Sequence, residues 1–135
     1  MLSDIIKVRR DLHRIAELSF EEHLTSSYIK EKIEAMGLVP QMSAGTGLVV
    51  NVGGENLTQD TAIMFRADMD ALPIQEQNEF DYKSCHDGVM HACGHDAHMS
   101  IIFHTLEWAE KNKDKLIKPL KFIFQPAEEK IGGAS

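Results

Sequence analysis

The sequence predicts an α/β domain in which helices flank a mixed, largely parallel β-sheet. Segments with apolar residues at helical spacing alternate along the chain with short, apolar, β-rich runs, and this alternation is typical of layered α/β domains. The chain has 135 residues, of which 43% are hydrophobic, so it is long enough to bury a core.

Two helices are predicted near the N-terminus. The first covers about residues 3–16, because apolar side chains recur there every three or four positions. These apolar positions are Ile5, Val8, Leu12 and Ile15. The second covers about residues 20–36 and begins with Ser19 and Glu22, which match a capping box. Gly37 follows its last apolar position, where glycine commonly ends a helix.

Four strands are predicted from β-rich runs at residues 38–42, 48–52, 62–65 and 120–124. The third run is nearly all apolar, as expected of a central strand that is covered on both faces. The fourth run is a second candidate for a buried strand, and a Gln-Pro pair ends it.

The segment from residue 66 to residue 94 has no sustained period, and Pro73 would break any helix there. A connection of this length inside a compact domain usually has a function. A third helix is predicted over residues 95–112, where apolar residues return to helical spacing, and Pro119 ends the lysine-rich segment behind it.

The composition disfavours several kinds of partner and site. The 14 basic and 21 acidic residues give a net charge of −7, which disfavours nucleic acid as a partner. The charged N-terminal segment resembles neither a signal peptide nor a membrane span, so we expect a cytoplasmic location and no membrane partner. In the cytosol, cysteines such as Cys85 and Cys93 are more often metal ligands or free thiols than a disulfide.

Five of the seven histidines lie between His86 and His104. Within this cluster Cys93 and His95 are two residues apart at the start of a predicted helix, so both can face one point in space. Thiolate and imidazole are good ligands for zinc and its neighbours in the transition series. For an isolated pair, however, a core cysteine beside a surface histidine is the more common arrangement.

Two adjacent carboxylates, Glu128 and Glu129, follow the last predicted strand. Ligands collect at strand ends in α/β sheets, and neighbouring residues that leave an extended segment point in different directions. One carboxylate can then bind a metal while the other acts as a base on a water. Taken alone, such a pair is more often a solvated pair of charges on a loop.

Asp68 and Asp70 lie at the end of the third predicted strand and therefore at the same sheet edge. A metal-bound histidine usually has its second nitrogen held by a carboxylate or a carbonyl, which makes Asp68 a candidate for that supporting contact. A helix or turn cap explains Asp68 about equally well.

Together, five segments resemble the zinc-dependent aminoacylase and carboxypeptidase superfamily, in particular its branch of N-acyl-amino-acid amidohydrolases, hippurate hydrolases and auxin-conjugate hydrolases. The segments occur in the family order over essentially the whole chain. They are RRDLH at residues 9–13, SFEE at 19–22, RADMDALP at 66–73, GVMHACGHDAH at 88–98 and FQPAEE at 124–129.

The resemblance implies a role for each candidate residue. Cys93 and His95 correspond to metal ligands, Glu128 corresponds to the general base, and Glu129 corresponds to a further metal ligand. In related branches a metal-binding histidine takes the place of Arg66, which leaves Asp68 with a supporting role beside the ligands.

The implied reaction is hydrolysis of the amide bond of an N-acyl amino acid or a dipeptide-like substrate. Two divalent metals would activate a water whose proton Glu128 removes, with zinc as the first expectation and manganese, cobalt or nickel as alternatives. A mechanism with Cys93 as nucleophile is conceivable, but it would leave the paired glutamates without a task.

Members of this family are considerably longer, so the resemblance places residues 1–135 in the N-terminal part of the catalytic domain. The rest of that domain and a lid-like dimerisation domain are then absent, and the full-length form is expected to be a homo-oligomer. We expect residues 1–135 alone to hydrolyse little or no substrate and to self-associate through exposed apolar patches. The alternative is a catalytically inactive metal-binding or interaction domain.

Overall fold

The computed structural model describes residues 2–54 and 61–130, which form three α-helices and a four-stranded sheet. The helices are α1 (Leu2–Arg14), α2 (His23–Ala35) and α3 (His95–Lys111). The strands are β1 (Gln41–Ser43), β2 (Gly47–Val52), β3 (Ile63–Asp68) and β4 (Leu120–Gln125). Each predicted helix and strand is present, with its ends shifted by a few residues. No helix among the described residues is both long and apolar enough to cross a membrane.

The strands lie in the order β1-β2-β4-β3. β4 pairs antiparallel with β2 and parallel with β3, while β1 and β2 form an antiparallel pair. The predicted mixed α/β sheet is confirmed, but it is not largely parallel in the described strands. A short turn joins β1 to β2, whereas only the connection through α3 is long enough to bring a strand back parallel to its predecessor.

One core joins the inner face of the sheet to all three helices. α3 packs over β3 and β4, α1 packs against α3, and α2 contacts β2. Alternate side chains of β2 and β4 enter this core, as the two-residue period of a strand requires. Large side chains that are fully buried include Leu12, Ile29, Leu48, Met99, Leu106 and Phe122.

β3 is an edge strand of the described sheet, which corrects the prediction of a central strand covered on both faces. Ile63 and Met64 are 48% and 60% exposed, whereas Ala67 near the end of the strand is buried. Apolar composition indicated a strand correctly. It could not show how many strands and helices lie beside it, because the tertiary arrangement determines that number.

The start of α2 is stabilised differently from the predicted capping box. Glu22 is at the N-cap position but makes no side-chain cap hydrogen bond, and the Ser19 hydroxyl donates to a distant carboxylate. Instead, the Glu17 carboxylate accepts the main-chain N–H groups of Leu24 and Thr25, both at 2.9 Å. The free N–H groups of the first turn therefore donate to a carboxylate that precedes the helix in the sequence.

α2 ends as predicted. Gly37 has φ 81 and lies at the position after the C-cap. Its N–H donates to the carbonyl of Glu34, and the N–H of Leu38 donates to the carbonyl of Ile33. This pair of bonds is a Schellman motif.

Candidate metal centre

The ends of β3 and β4 bring the predicted site residues to one edge of the sheet. The two strands are parallel, and Asp68 at the end of β3 is in register with Gln125 at the end of β4. Glu128 and Glu129 lie three and four residues after the end of β4, and α3 begins at His95. The site thus lies beyond the carboxyl ends of parallel strands, where α/β sheets commonly bind ligands.

Two overlapping clusters of ligand atoms are present at this edge. Ligand atoms of Cys93, His95 and Glu129 all lie within 4.8 Å of one another, and the same holds for Asp68, His95 and Glu128. His95 is buried, whereas Cys93 and both glutamates are exposed, so the clusters open to the surface. The structure therefore brings together all five residues that the sequence analysis singled out.

Gly94 allows Cys93 and His95 to contribute to the same cluster. It is the N-cap residue of α3 and has φ 91, a left-handed conformation that residues with a side chain rarely adopt. The chain therefore turns sharply between a non-helical Cys93 and a helical His95.

Asp70, and not Asp68, holds the second nitrogen of His95. The Nδ1 atom of His95 is 2.8 Å from the main-chain carbonyl oxygen of Asp70 and 3.5 Å from its carboxylate. With Nδ1–H donated to this carbonyl, Nε2 is left to bind a metal. The Asp70 carboxylate raises the pKa of His95 to about 9, so a metal would have to displace a proton from the ring at neutral pH.

Asp70 also connects the site to two other segments. Its carboxylate accepts the Ser19 hydroxyl at 2.7 Å and the main-chain N–H of Glu129 at 2.9 Å. Burial opposes ionisation, but hydrogen bonds from His95, Ser19 and the Glu129 main chain outweigh it and hold the pKa of Asp70 well below its usual range. Asp70 was predicted to lie at this edge, but no role was predicted for it. The only signal for that role was its two-residue spacing from Asp68.

Asp68 is paired with Arg66. The Nε and Nη2 atoms of Arg66 are 2.9 Å and 2.8 Å from the same carboxylate oxygen of Asp68. Arg66 thus forms an ion pair with one carboxylate of the site, and the view that Arg66 is not a ligand stays a prediction. The supporting role of Asp68 stays a prediction, since its carboxylate also belongs to the second cluster.

The electrostatics of the site favour a cation. Burial, and then the nearby carboxylates of Glu129, Glu128 and Asp68, raise the pKa of the Cys93 thiol. A divalent cation would relieve the repulsion among these groups and stabilise the thiolate. The sulfur, nitrogen and oxygen donors present together fit zinc and related metals.

The remaining residues of the histidine-rich segment lie outside the two clusters found among the described residues. His98 and Cys85 are exposed. His104 is buried, and its Nδ1 is 2.9 Å from the carbonyl oxygen of Ser100. His91 is buried, and neither of its nitrogens has a hydrogen-bond partner in the described part of the chain.

The model of peptidase family M20/M25/M40 matches residues 64–135, a stretch that starts at the second residue of β3 and includes α3, β4 and all five site residues. The chain belongs to this family. M20 relatives match the remaining N-terminal residues as well. N-acetyldiaminopimelate deacetylase from Oceanobacillus iheyensis is 43% identical over 136 residues, covering 99% of this chain and 36% of the relative. N-acetyl-L-cysteine deacetylase from Bacillus subtilis is 40% identical over 132 residues, covering 97% of this chain and 31% of the relative.

Solved structures agree with the M20 assignment. The YXEP protein of Bacillus subtilis, a dinuclear metal-binding peptidase of the M20 family, superposes with a TM-score of 0.87 and 40% identity over 94% of this chain and 36% of its own. An aminobenzoyl-glutamate utilization protein from Klebsiella pneumoniae shares the fold, with a TM-score of 0.71 and 19% identity over 94% of this chain and 37% of its own. The chain spans about a third of the length of the curated relatives it matches.

Proposed function

We propose that this chain supplies the base and part of the ligand set of a two-metal amidohydrolase that cleaves N-acyl amino acids. The observation that carries the proposal is the pair of overlapping ligand clusters that share His95. The relatives named as deacetylases of N-acetyl amino acids support this substrate class, and the dinuclear M20 neighbour supports two metals.

Cys93, His95 and Glu129 would hold a metal, with zinc favoured by the thiolate and imidazole donors and manganese, cobalt or nickel as alternatives. When bound, the metal pair would polarise the amide carbonyl and lower the pKa of a water. His95 keeps a fixed orientation for this task because the Asp70 carbonyl holds its other nitrogen.

Glu128 would act as the general base. Its carboxylate is exposed and lies beside the ligand atoms of His95 and Asp68, where it can accept a proton from the attacking water. The water oxygen bonds to the amide carbon, the carbon–nitrogen bond breaks, and Glu128 passes the proton to the leaving nitrogen. The products are a carboxylic acid and a free amino acid.

Metal content and turnover together test this proposal. We expect this chain to bind zinc, manganese or cobalt, and any longer product of its reading frame to release amino acids from N-acetyl or N-benzoyl amino acids. In the longer product, Glu128→Gln should lower turnover by about 10²–10⁴-fold with metal content nearly unchanged, because only the base is removed. Cys93→Ala should lower both.

The control is Lys130→Gln, which changes a neighbouring exposed charge without touching either cluster. If the longer product were inactive with all three metals, the amidohydrolase assignment would fail. If Glu128→Gln left turnover intact, the base would have to be another residue. Metal binding without turnover in the longer product would favour the inactive metal-binding domain.

A further inference from the structure

Two buried carboxylates hold the loop of residues 126–129, which carries both glutamates of the site. Glu22 accepts the main-chain N–H of Ala127 at 2.8 Å, and Asp70 accepts that of Glu129 at 2.9 Å. The two carboxylate residues are only 0% and 1% exposed. Hydrogen bonds to an ionised acceptor are stronger than those between neutral groups, and burial strengthens them further.

Ala127 needs such support. It has φ 53, a left-handed conformation that is unfavourable for a residue with a side chain, and it is fully buried. Conformations of this kind persist only where the surrounding structure over-determines them. Since Ala127 directly precedes Glu128, its backbone angles set the direction in which the chain presents Glu128 and then Glu129.

Glu22 is itself fixed in place. Its second carboxylate oxygen accepts the Thr46 hydroxyl at 2.6 Å. It occupies the N-cap position of α2 but makes no cap hydrogen bond there, so its carboxylate is committed to the loop and not to the helix. The first residue of β2 also lies close to the loop: a Cβ added to Gly47 would be 2.8 Å from the Cδ atom of Pro126.

We propose that Glu22 is a positioning residue for the metal centre: by binding the N–H of Ala127, it fixes the loop that presents Glu128 and Glu129. This inference rests on the proposed function. Glu22 is not among the ligand clusters, and its effect on the site passes entirely through the main chain of residue 127. This role for Glu22, in the SFEE segment, had no signal in the sequence.

Cobalt binding by this chain tests the inference, because Co²⁺ absorption reports the geometry of the thiolate and carboxylate ligands. Glu22→Leu keeps the approximate size but removes the acceptor, so we expect cobalt affinity to fall by about tenfold or more and the saturated spectrum to change. Glu22→Gln should restore both, because its amide oxygen can accept from Ala127 while its amide nitrogen donates to Thr46.

Two controls separate positioning from stability. Ile29→Val removes a methyl group from the buried face of α2, so it should lower the melting temperature without altering the cobalt spectrum. Glu21→Leu makes the same change at an exposed neighbour and should alter neither the cobalt spectrum nor the affinity. If Glu22→Leu does not fold, Glu22→Asp takes its place, because it keeps the charge and shortens the reach to Ala127.

The outcomes distinguish this inference from the proposed function. An altered cobalt spectrum in Glu22→Leu or Glu22→Asp, restored in Glu22→Gln, would support the positioning role. If the wild-type chain binds cobalt and the folded Glu22→Leu or Glu22→Asp variant gives the same affinity and spectrum, the positioning role is wrong while the metal centre stands. If the wild-type chain binds no cobalt, the proposed function fails and this inference fails with it.

Discussion

The orientation of the His95 side chain depends on a residue outside its own segment. Its position two residues after Cys93 was visible in the sequence, but the group that orients it comes from Asp70 on another segment. Asp68 was the expected partner, as a carboxylate at the same sheet edge. The orienting contact follows from the course of the chain beyond β3, which leaves the Asp70 carbonyl beside the start of α3.

Replacing the carboxylate of Asp70 tests its support of the metal ligands. Asp70→Asn should lower zinc affinity by about 10–100-fold, because it removes the charge that supports His95 and weakens the hold on the Glu129 main chain. Isothermal titration with zinc measures the affinity, and Asp87→Asn at an exposed position is the matched control. An Asp70→Asn protein with wild-type zinc affinity would show that the Asp70 carboxylate does not support the ligands.

His13 forms a buried charge network outside the metal centre. Its two ring nitrogens lie 2.7 Å from a carboxylate oxygen of Asp96 and 3.0 Å from one of Glu76. The hydrogen bond with Asp96, followed by that with Glu76, raises the pKa of His13 despite its burial. With both nitrogens donating, the charged imidazole joins α1 to α3 and to the long connection before it.

The raised pKa of His13 gives a pH dependence with a definite sign. The stabilisation from charged His13 is fully present below its unfolded pKa of 6.5 and is lost as pH rises through the higher folded pKa. His13→Gln should therefore lower the unfolding free energy by about 3–5 kcal/mol below pH 6.5. This gap between wild type and variant should narrow as the pH rises above 6.5. Urea unfolding of both proteins measures this difference between pH 5 and 9, at steps of about one pH unit.

The control for this series is Ser27→Ala, a change at an exposed side chain with no ionisable group, which should show no such pH-dependent gap. A gap between wild type and His13→Gln that widened as pH rose would contradict the charged state of His13.

At the scale of secondary structure elements, the start of α2 shows that a sequence motif can be present without its usual contacts. Ser19 and Glu22 have capping-box spacing, yet their side chains bind Asp70, Thr46 and Ala127 instead. In the folded chain Ser19 donates to the buried carboxylate of Asp70, and Glu22 accepts the N–H of Ala127, which has a strained backbone conformation. Glu17 then supplies the acceptor that the first turn of α2 requires.

Removing the Glu17 carboxylate tests its role as the acceptor for α2. Glu17→Ala should lower the unfolding free energy by about 0.5–2 kcal/mol, the usual cost of losing an N-terminal cap. Glu21→Ala, at an exposed position nearby, should change it by less than about 0.5 kcal/mol. Chemical denaturation of both variants measures the difference, and equal effects would exclude a capping role for Glu17.

The helices and strands themselves were predictable because each has a local signal. α3 begins at His95 as predicted and ends one residue before the predicted end, since its apolar residues keep a helical period throughout. β4 was identified as a buried strand and lies in the middle of the sheet. The direction of strand pairing had no local signal, which is why the sheet contains more antiparallel pairing than the sequence suggested.

At the scale of the whole molecule, the exposed edge of β3 is the feature with the clearest consequence. Met64 and Ile63 are largely exposed, and one side of β3 has no strand partner among the described residues. Exposed apolar strand edges promote association between chains. The expected self-association of residues 1–135 therefore has a specific location, while homo-oligomer formation by a longer protein stays a prediction.

A charge at this edge should reduce association. Met64→Lys should shift the chain toward monomer in sedimentation velocity, because edge lysines oppose strand pairing. It should cost less than about 0.5 kcal/mol of stability, since the side chain is on the surface. The control is Val39→Lys, an exposed apolar position away from β3. Association that responds equally to both changes, or to neither, would place the contact elsewhere.

The sequence by itself determined the α/β class, the positions of the helices and strands, and the five residues that meet at the candidate metal centre, because periodicity and ligand chemistry are local properties. The tertiary structure alone decided that Asp70 orients His95, that Glu22 and Asp70 hold the loop of residues 126–129, and that β3 lies at an edge. These contacts join residues that are 25 to 105 positions apart. Only the folded chain brings such residues within hydrogen-bond distance.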